Sequence, residues 1–313
     1  MKLVLSTSNI VSGSASVIGR ASTKSDSELT NSLRSNFTQR RDSAEDEDGS
    51  YRSWTTQEGE QLFIPSVDFA TSGLAEERAA YDITVKLFYL PNIPPSKRCE
   101  HTKDAVALVL KELHVESIDL LIASYPNIVF DADDESEEDE TSGRDTPSAD
   151  LDAQPAAGAE DISTMLKTWR TIEALHDSGT VAKIGIAEFG THRLTRFLNE
   201  ARIRPAVNQI NVRDCCVVPK PLIMFAKKEK IDLLTHSDVT NILPRGTLRE
   251  LLGPGDKGVE VLSSETKHQE TVATEGLKGD VEPQWVIKYT AVVKDRGVVE
   301  NKGYFAVAEL RAT

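Results

Sequence analysis

From about residue 80 onward, short apolar strands alternate with amphipathic helical segments. That alternation constrains the fold more than any other feature of the chain. Asp82 to Phe88 is β-branched and aromatic, a strand by composition. Ile118 to Ala123 is an apolar run broken only by Asp119, the pattern of a parallel strand buried on both faces. Val181–Ala187, Pro205–Gln209 and Ile231–Thr235 read as further strands. Between them, helical spacing puts Ala105, Val106, Val109, Leu110 and Leu113 on one face, and Met165, Trp169, Ile172 and Leu175 on another. Asp161 and Ser163 are caps for that second helix and Gly179 ends it. Thr191 precedes a helix with Leu194, Phe197, Leu198 and Ala201 inward, and Pro219 opens one carrying Leu222, Ile223, Phe225 and Ala226. The polar stretch from Leu243 to Glu282 reads as irregular. Trp285–Val293 is expected to form a last helix and Val298-Val299 a last strand.

Strand–helix alternation over 313 residues predicts a parallel sheet closed into an eight-stranded α/β barrel, the (β/α)8 TIM-type architecture. A single domain over residues 1–313 is expected. The first 80 residues fit least well. Leu3-Val4-Leu5 reads as a strand, whereas Ser-rich Ser12–Ser27 and acidic Asp42–Gly49 read as loops or tails.

Charge separates one segment from the rest. Residues 131–161 carry thirteen acids against one base, Arg144, and so account for nearly all of the net charge of −14. With Leu151 as the only large apolar side chain between Thr141 and Glu160, the segment cannot bury enough surface to offset its ordering entropy. It is expected to be a disordered acidic insert between one strand and the next helix. The acidic balance argues against nucleic acid and anionic membranes as partners. Three cysteines exclude a disulfide scaffold and fit a reducing compartment. No run of about 18 apolar residues occurs, and Met1–Ile10 lacks the pattern of a secretory signal. A cytoplasmic address follows as the expectation.

In a barrel of this kind the site lies at the C-terminal ends of the strands. Lys86 sits inside the first clear strand, and Ser124-Tyr125-Pro126 ends the second. Glu188 follows the third, Asn208-Gln209 ends the fourth, and His236-Ser237-Asp238 follows the fifth. No His-x-x-x-His, Cys-x-x-Cys, Gly-x-Gly-x-x-Gly or Walker loop is present, so no metal, phosphate-loop or catalytic set is predicted. Lys86 in a buried strand requires a carboxylate partner, and a structural ion pair is expected. His236 is expected to be hydrogen-bonded. The adjacent pair Cys215-Cys216 reads either as a partner contact or redox site, or as two small packed residues.

These strings carry a resemblance. Ile83–Phe88, Ile118–Pro126, Trp169–Ile186, Asn208–Asn211 and Gly297–Val299 with Lys302 resemble strands and helices of the aldo-keto reductases. Those enzymes reduce carbonyls with a nicotinamide cofactor through an Asp, Tyr, Lys and His tetrad. By that resemblance Lys86 matches the lysine and Ser124 stands at the histidine position. Asp68 can stand for the aspartate, but Gly73, five residues on, replaces the tyrosine. The chain also ends soon after Lys302, without the helix that grips the cofactor phosphate in that family. No cofactor is therefore expected, although Lys86, Ser124, Asn208, Gln209 and His236 mark a relic cleft compatible with residual NADPH binding.

A closer resemblance runs along most of the chain. Asp214–Pro219, Ala226–Lys228, Leu233–Asp238 and Val292–Tyr304 are similar to the regulatory subunits of glutamate–cysteine ligase. That resemblance implies a non-catalytic chain that binds the ligase catalytic subunit, improves glutamate use and relieves glutathione inhibition, with Cys215 and Cys216 as interface or redox candidates. The alternative is an NADPH-dependent aldo-keto reductase with a rearranged tetrad.

Overall fold

The computed structural model describes residues 1–12, 25–44, 50–91, 93–130, 161–211, 218–239, 241–255, 257–263 and 276–311. Among the described residues ten strands are formed: Lys2–Ser6 (β1), Thr56–Glu58 (β2), Gln61–Ile64 (β3), Tyr81–Tyr89 (β4), Ile118–Ser124 (β5), Val181–Ala187 (β6), Val207–Asn211 (β7), Asp232–His236 (β8), Asp280–Val293 (β9) and Val298–Arg311 (β10). Six α-helices accompany them: Ser25–Asp42 (α1), Arg98–Leu113 (α2), Ile162–Asp177 (α3), Thr191–Glu200 (α4), Lys220–Glu229 (α5) and Thr247–Leu252 (α6).

All ten strands belong to one sheet in the order β2-β3-β1-β10-β9-β4-β5-β6-β7-β8. Strands β4 to β8 are parallel and follow chain order, with α2, α3, α4 and α5 as their crossovers. This is the barrel-type half that the alternation predicts. On the other side of β4 the sheet changes character. The long hairpin β9–β10 pairs antiparallel to β4, and β1 pairs antiparallel to β10. The α/β class is as expected, but the strand complement differs from eight parallel strands.

The sheet is strongly curled. Lys86 on β4 touches Asp238, two residues past the end of β8, at 2.8 Å. In a flat sheet, four strand spacings of about 4.8 Å would hold β4 and β8 roughly 19 Å apart. Lys86 therefore points into a concavity. Alternation along the strands puts Phe88, Val286, Lys288, Tyr304 and Ala306 on that same face.

Each face has its own core. On the convex side Val85, Leu87, Leu121, Ala123, Ile184 and Ile186 pack against Val106, Val109, Met165, Trp169 and Phe197 of α2, α3 and α4. On the concave side Leu29, Leu33 and Phe37 of α1, with Leu248, Leu251 and Leu252 of α6, cover Leu3, Leu5, Phe88, Val286 and Ala306.

Three expectations are corrected. Trp285–Val293 belongs to a strand, not a helix. Val281, Trp285, Ile287, Tyr289, Ala291 and Val293 alternate with Glu282, Val286, Lys288, Thr290 and Val292, and both sides of this strand are paired. Gly297, at φ +61°, closes the hairpin with its N–H on the Val293 carbonyl at 2.8 Å. The segment read as irregular contains α6, and a helix begins at Ser25, within the N-terminal stretch read as loops. At the start of α3, Asp161 is the N-cap and accepts the Ser163 N–H at 3.2 Å. The acidic segment 131–160 lies outside the described residues.

Candidate functional site

The concave face holds a buried electrostatic cluster. Asp238 lies at its centre, 6% exposed, with Lys86 Nζ on Oδ2 at 2.8 Å and Lys288 Nζ on Oδ1 at 3.1 Å. Lys86 comes from the middle of β4 and Lys288 from the register position beside it on β9. Burial pushes the Asp238 carboxyl up, but the two ammoniums outweigh it and hold the group well below the usual carboxylate range. Burial pulls the Lys86 ammonium below its ordinary value, and Asp238 offsets only part of that. The expectation that Lys86 needs a carboxylate partner is thus met by Asp238. A pair this deep contributes little net stability, but removal of one partner strands the other charge.

His236 joins the cluster from the end of β8. Its Nδ1 accepts the Asp238 backbone N–H at 3.0 Å, so the ring proton sits on Nε2, which contacts Glu188 Oε1. Glu188 Oε2 accepts the backbone N–H groups of Phe130 and Asn211 at 3.1 and 3.4 Å. Glu188 follows β6 with φ +68°. This left-handed conformation is uncommon for a non-glycine residue.

The charge network continues toward α1. Lys288 Nζ lies 5.7 Å from the Tyr304 ring centroid. The Tyr304 hydroxyl donates to Glu28 Oε1 at 2.6 Å, and Lys302 Nζ lies 2.7 Å from the same oxygen. Three ammoniums (Lys86, Lys288, Lys302) thus face three carboxylates (Asp238, Glu188, Glu28) along one surface. Burial raises the Glu28 carboxyl, while Lys302, Tyr304 and Lys288 together bring it below its ordinary value.

The other predicted positions divide. Lys86 and His236 are brought together through Asp238. Ser124 ends β5, half-buried and in register with Phe88. Gln209 on β7 carries a buried Oε1 without a hydrogen-bond partner among the described residues. Asn208 is turned the other way: its amide donates to the Phe189 carbonyl at 2.7 Å and accepts the Phe189 N–H at 3.4 Å. It clamps the turn after β6 and does not join the cluster. Cys215 and Cys216 lie outside the described residues. Sequence reasoning does not single out Lys288, Lys302 and Tyr304, because a helix is expected where β9 lies and hides the face it shares with β10, nor Glu28, because α1 falls in a polar stretch.

The cluster does not fit proton delivery to a nicotinamide-bound substrate. Asp68, which could stand for the tetrad aspartate, is exposed and caps its own loop, accepting the Ala70 N–H at 2.9 Å. Gly73, which the resemblance sets at the tyrosine position, has φ +123°, and a Cβ there would lie 3.0 Å from the His114 ring. A tyrosine cannot be placed there without rearrangement. Tyr304 brings a phenol near the lysines. However, burial and Glu28 push its pKa far above the ordinary value, which makes it a poorer acid. Among the described residues, no group of three or more His, Cys, Asp or Glu could hold a metal ion. No helix of the described residues is long and apolar enough to cross a membrane.

Comparison with known proteins extends this picture. A putative glutamate–cysteine ligase regulatory subunit of Schizosaccharomyces pombe is 25% identical over 230 residues, 72% of this chain and 70% of that protein. The glutamate–cysteine ligase regulatory subunit of Homo sapiens is 30% identical over 145 residues, 46% of this chain and 47% of that protein. The match thus spans about half the length of the human relative. Aldose reductase B of Dictyostelium discoideum is 32% identical over 184 residues, 56% of this chain and 49% of that protein. The model of the aldo/keto reductase family matches residues 65–276. That match runs from the end of β3 past α6 and takes in Lys86, Glu188, His236 and Asp238, so the chain belongs to the aldo/keto reductase family.

Proposed function

We propose that this chain is a non-catalytic regulatory subunit of glutamate–cysteine ligase, which binds the catalytic subunit, improves glutamate use and weakens inhibition by glutathione. The observation that carries the reading is Gly73. At the position that the resemblance sets for the reductases' tyrosine, the positive φ strains any side chain and a Cβ would lie 3.0 Å from the His114 ring. The chain keeps the family's lysine, Lys86, but commits it to Asp238 inside an ion cluster. Similarity to the putative regulatory subunit of Schizosaccharomyces pombe over 72% of the chain, and to the human regulatory subunit over 46%, supports the same reading. In this account the cluster is structural, and it fixes the concave face that reductases use for chemistry. Cys215 and Cys216 are candidates for contact with the catalytic subunit, and a reducing compartment such as the cytosol is the proposed setting.

The test has two arms. Mixed with the ligase catalytic subunit, the chain is expected to co-elute as a heterodimer in size-exclusion chromatography. Alone, it is expected to leave NADPH unoxidised in the presence of aldehydes. Aldehyde-dependent NADPH oxidation that disappears in Lys86→Met would overturn the non-catalytic reading and establish the reductase with a rearranged tetrad.

A further inference from the structure

A cavity of about 450 Å³ opens where β1 and β3 end, between α1 and the loop from Ser66 to Gly73. It is separate from the Lys86 cluster, none of whose residues line it. Among the described residues its wall is built mostly of hydroxyl and amide side chains, with the carboxylates Asp68 and Glu112, and with Ile10 and Val67 as the only large apolar ones. That lining disfavours an apolar ligand. Among the described residues a single guanidinium, Arg40, stands against the carboxylates Asp68 and Glu112, which disfavours a polyphosphate.

Three polar atoms in this wall are buried with no hydrogen-bond partner among the described residues: Ser32 Oγ on α1, Asn301 Oδ1 on β10 and Glu112 Oε2 on α2. Their residues are 3%, 5% and 5% exposed. Folded proteins pair the great majority of such atoms, and each orphan costs about 1–3 kcal/mol. Three orphans around one cavity therefore mark a place where something else supplies the hydrogen bonds. Two of the three, the Asn301 amide oxygen and the Glu112 carboxylate oxygen, call for donors. The other Glu112 oxygen receives the Tyr289 hydroxyl at 3.5 Å, and the Ser72 side chain and His114 also favour the carboxylate without outweighing its burial. No ammonium or guanidinium pairs with Glu112 among the described residues, and burial pushes its carboxyl up. Arg40 is exposed at the mouth.

We propose that this cavity binds a small zwitterion of the free amino-acid class, its ammonium against Glu112 and Asn301 and its carboxylate toward Arg40. An ammonium supplies several N–H donors in one group and a full counter-charge beside Glu112. Arg40 presents a planar fork suited to a carboxylate. The proposal is independent of the ligase role.

Isothermal titration of the full chain with L-serine, L-glutamate and L-lysine, beside N-acetyl-L-serine, glucose and inorganic phosphate, tests it. At least one amino acid is expected to bind, and acetylation of its amine should weaken binding tenfold or more. Glu112→Gln, checked for folding by circular dichroism, should weaken binding by a similar factor. Ser32→Ala, a milder change, should weaken it several-fold and serves if Glu112→Gln does not fold. The proposal is overturned if no amino acid binds, if glucose or phosphate binds in preference, or if folded variants bind as tightly as the parent chain.

Discussion

Asp238 accepts ammoniums from two strands that the chain order separates by about 200 residues, and its removal is the sharpest probe of the concave face. Asp238→Asn should destabilise the fold by about 3–5 kcal/mol, because it leaves the Lys86 charge buried and unmatched. Lys86→Met should cost clearly less, since Lys288 still neutralises Asp238 at 3.1 Å. Urea denaturation of the two variants checks the order; equal or reversed losses would show that the ion cluster is not organised around Asp238. Glu28 bears on acid stability. Its folded-state pKa is below that of the unfolded chain, so its contribution is fully present above the unfolded carboxylate range. That contribution is lost as pH falls through the folded value. Glu28→Gln should therefore lower stability at pH 7 and make the decline from about pH 5 to pH 3 shallower. A decline of unchanged steepness in denaturation curves across that range would contradict the pairing with Lys302 and Tyr304. At this scale the sequence revealed part of the site. A lysine in an apolar strand announces a buried partner, and His236 and Asp238 stand at a strand end. No local signal identifies which carboxylate answers which lysine, because the pairing depends on curl and register.

The elements legible from sequence were those whose period agrees with their surroundings. The strands β4 to β8 and the helices between them follow apolar runs and helical spacing that survive into the fold, with ends shifted by a few residues. β9 departs from its expected helix although its period is two: Val281, Trp285, Ile287, Tyr289, Ala291 and Val293 fall on alternate positions, and Asp295-Arg296-Gly297 supplies a turn. The α/β expectation of a terminal helix overrode that signal. α1 was missed for a different reason. Leu29, Leu33 and Phe37 recur every four residues, but the helix is otherwise so polar that composition suggested a loop. All three are fully buried. Leu33→Ala should accordingly cost about 2–5 kcal/mol, measured by chemical denaturation. A loss below 1 kcal/mol would mean that α1 does not cover the concave face. The acidic segment between β5 and α3 is the opposite case. Replacing residues 131–160 by a short Gly-Ser linker should leave the melting temperature within a few degrees, because the segment has almost nothing to bury. A large drop would show that it packs.

For the whole molecule, the proposed reading is that the family fold is kept and its chemistry is not. Five parallel strands hold the reductase-like half, the β9–β10 hairpin with β1 extends the other, and the concave face between them is occupied by balanced charge. A regulatory chain acts on its partner only by binding two states of that partner unequally. The account's central claim is therefore a coupling, and the glutamate KM of the ligase catalytic subunit, with and without a stoichiometric amount of this chain, measures it most directly. The account predicts a lower KM and weaker glutathione inhibition in the complex, within the roughly 5–150-fold range usual for such coupling. Unchanged glutamate KM and unchanged glutathione inhibition in a complex shown to have formed would contradict it.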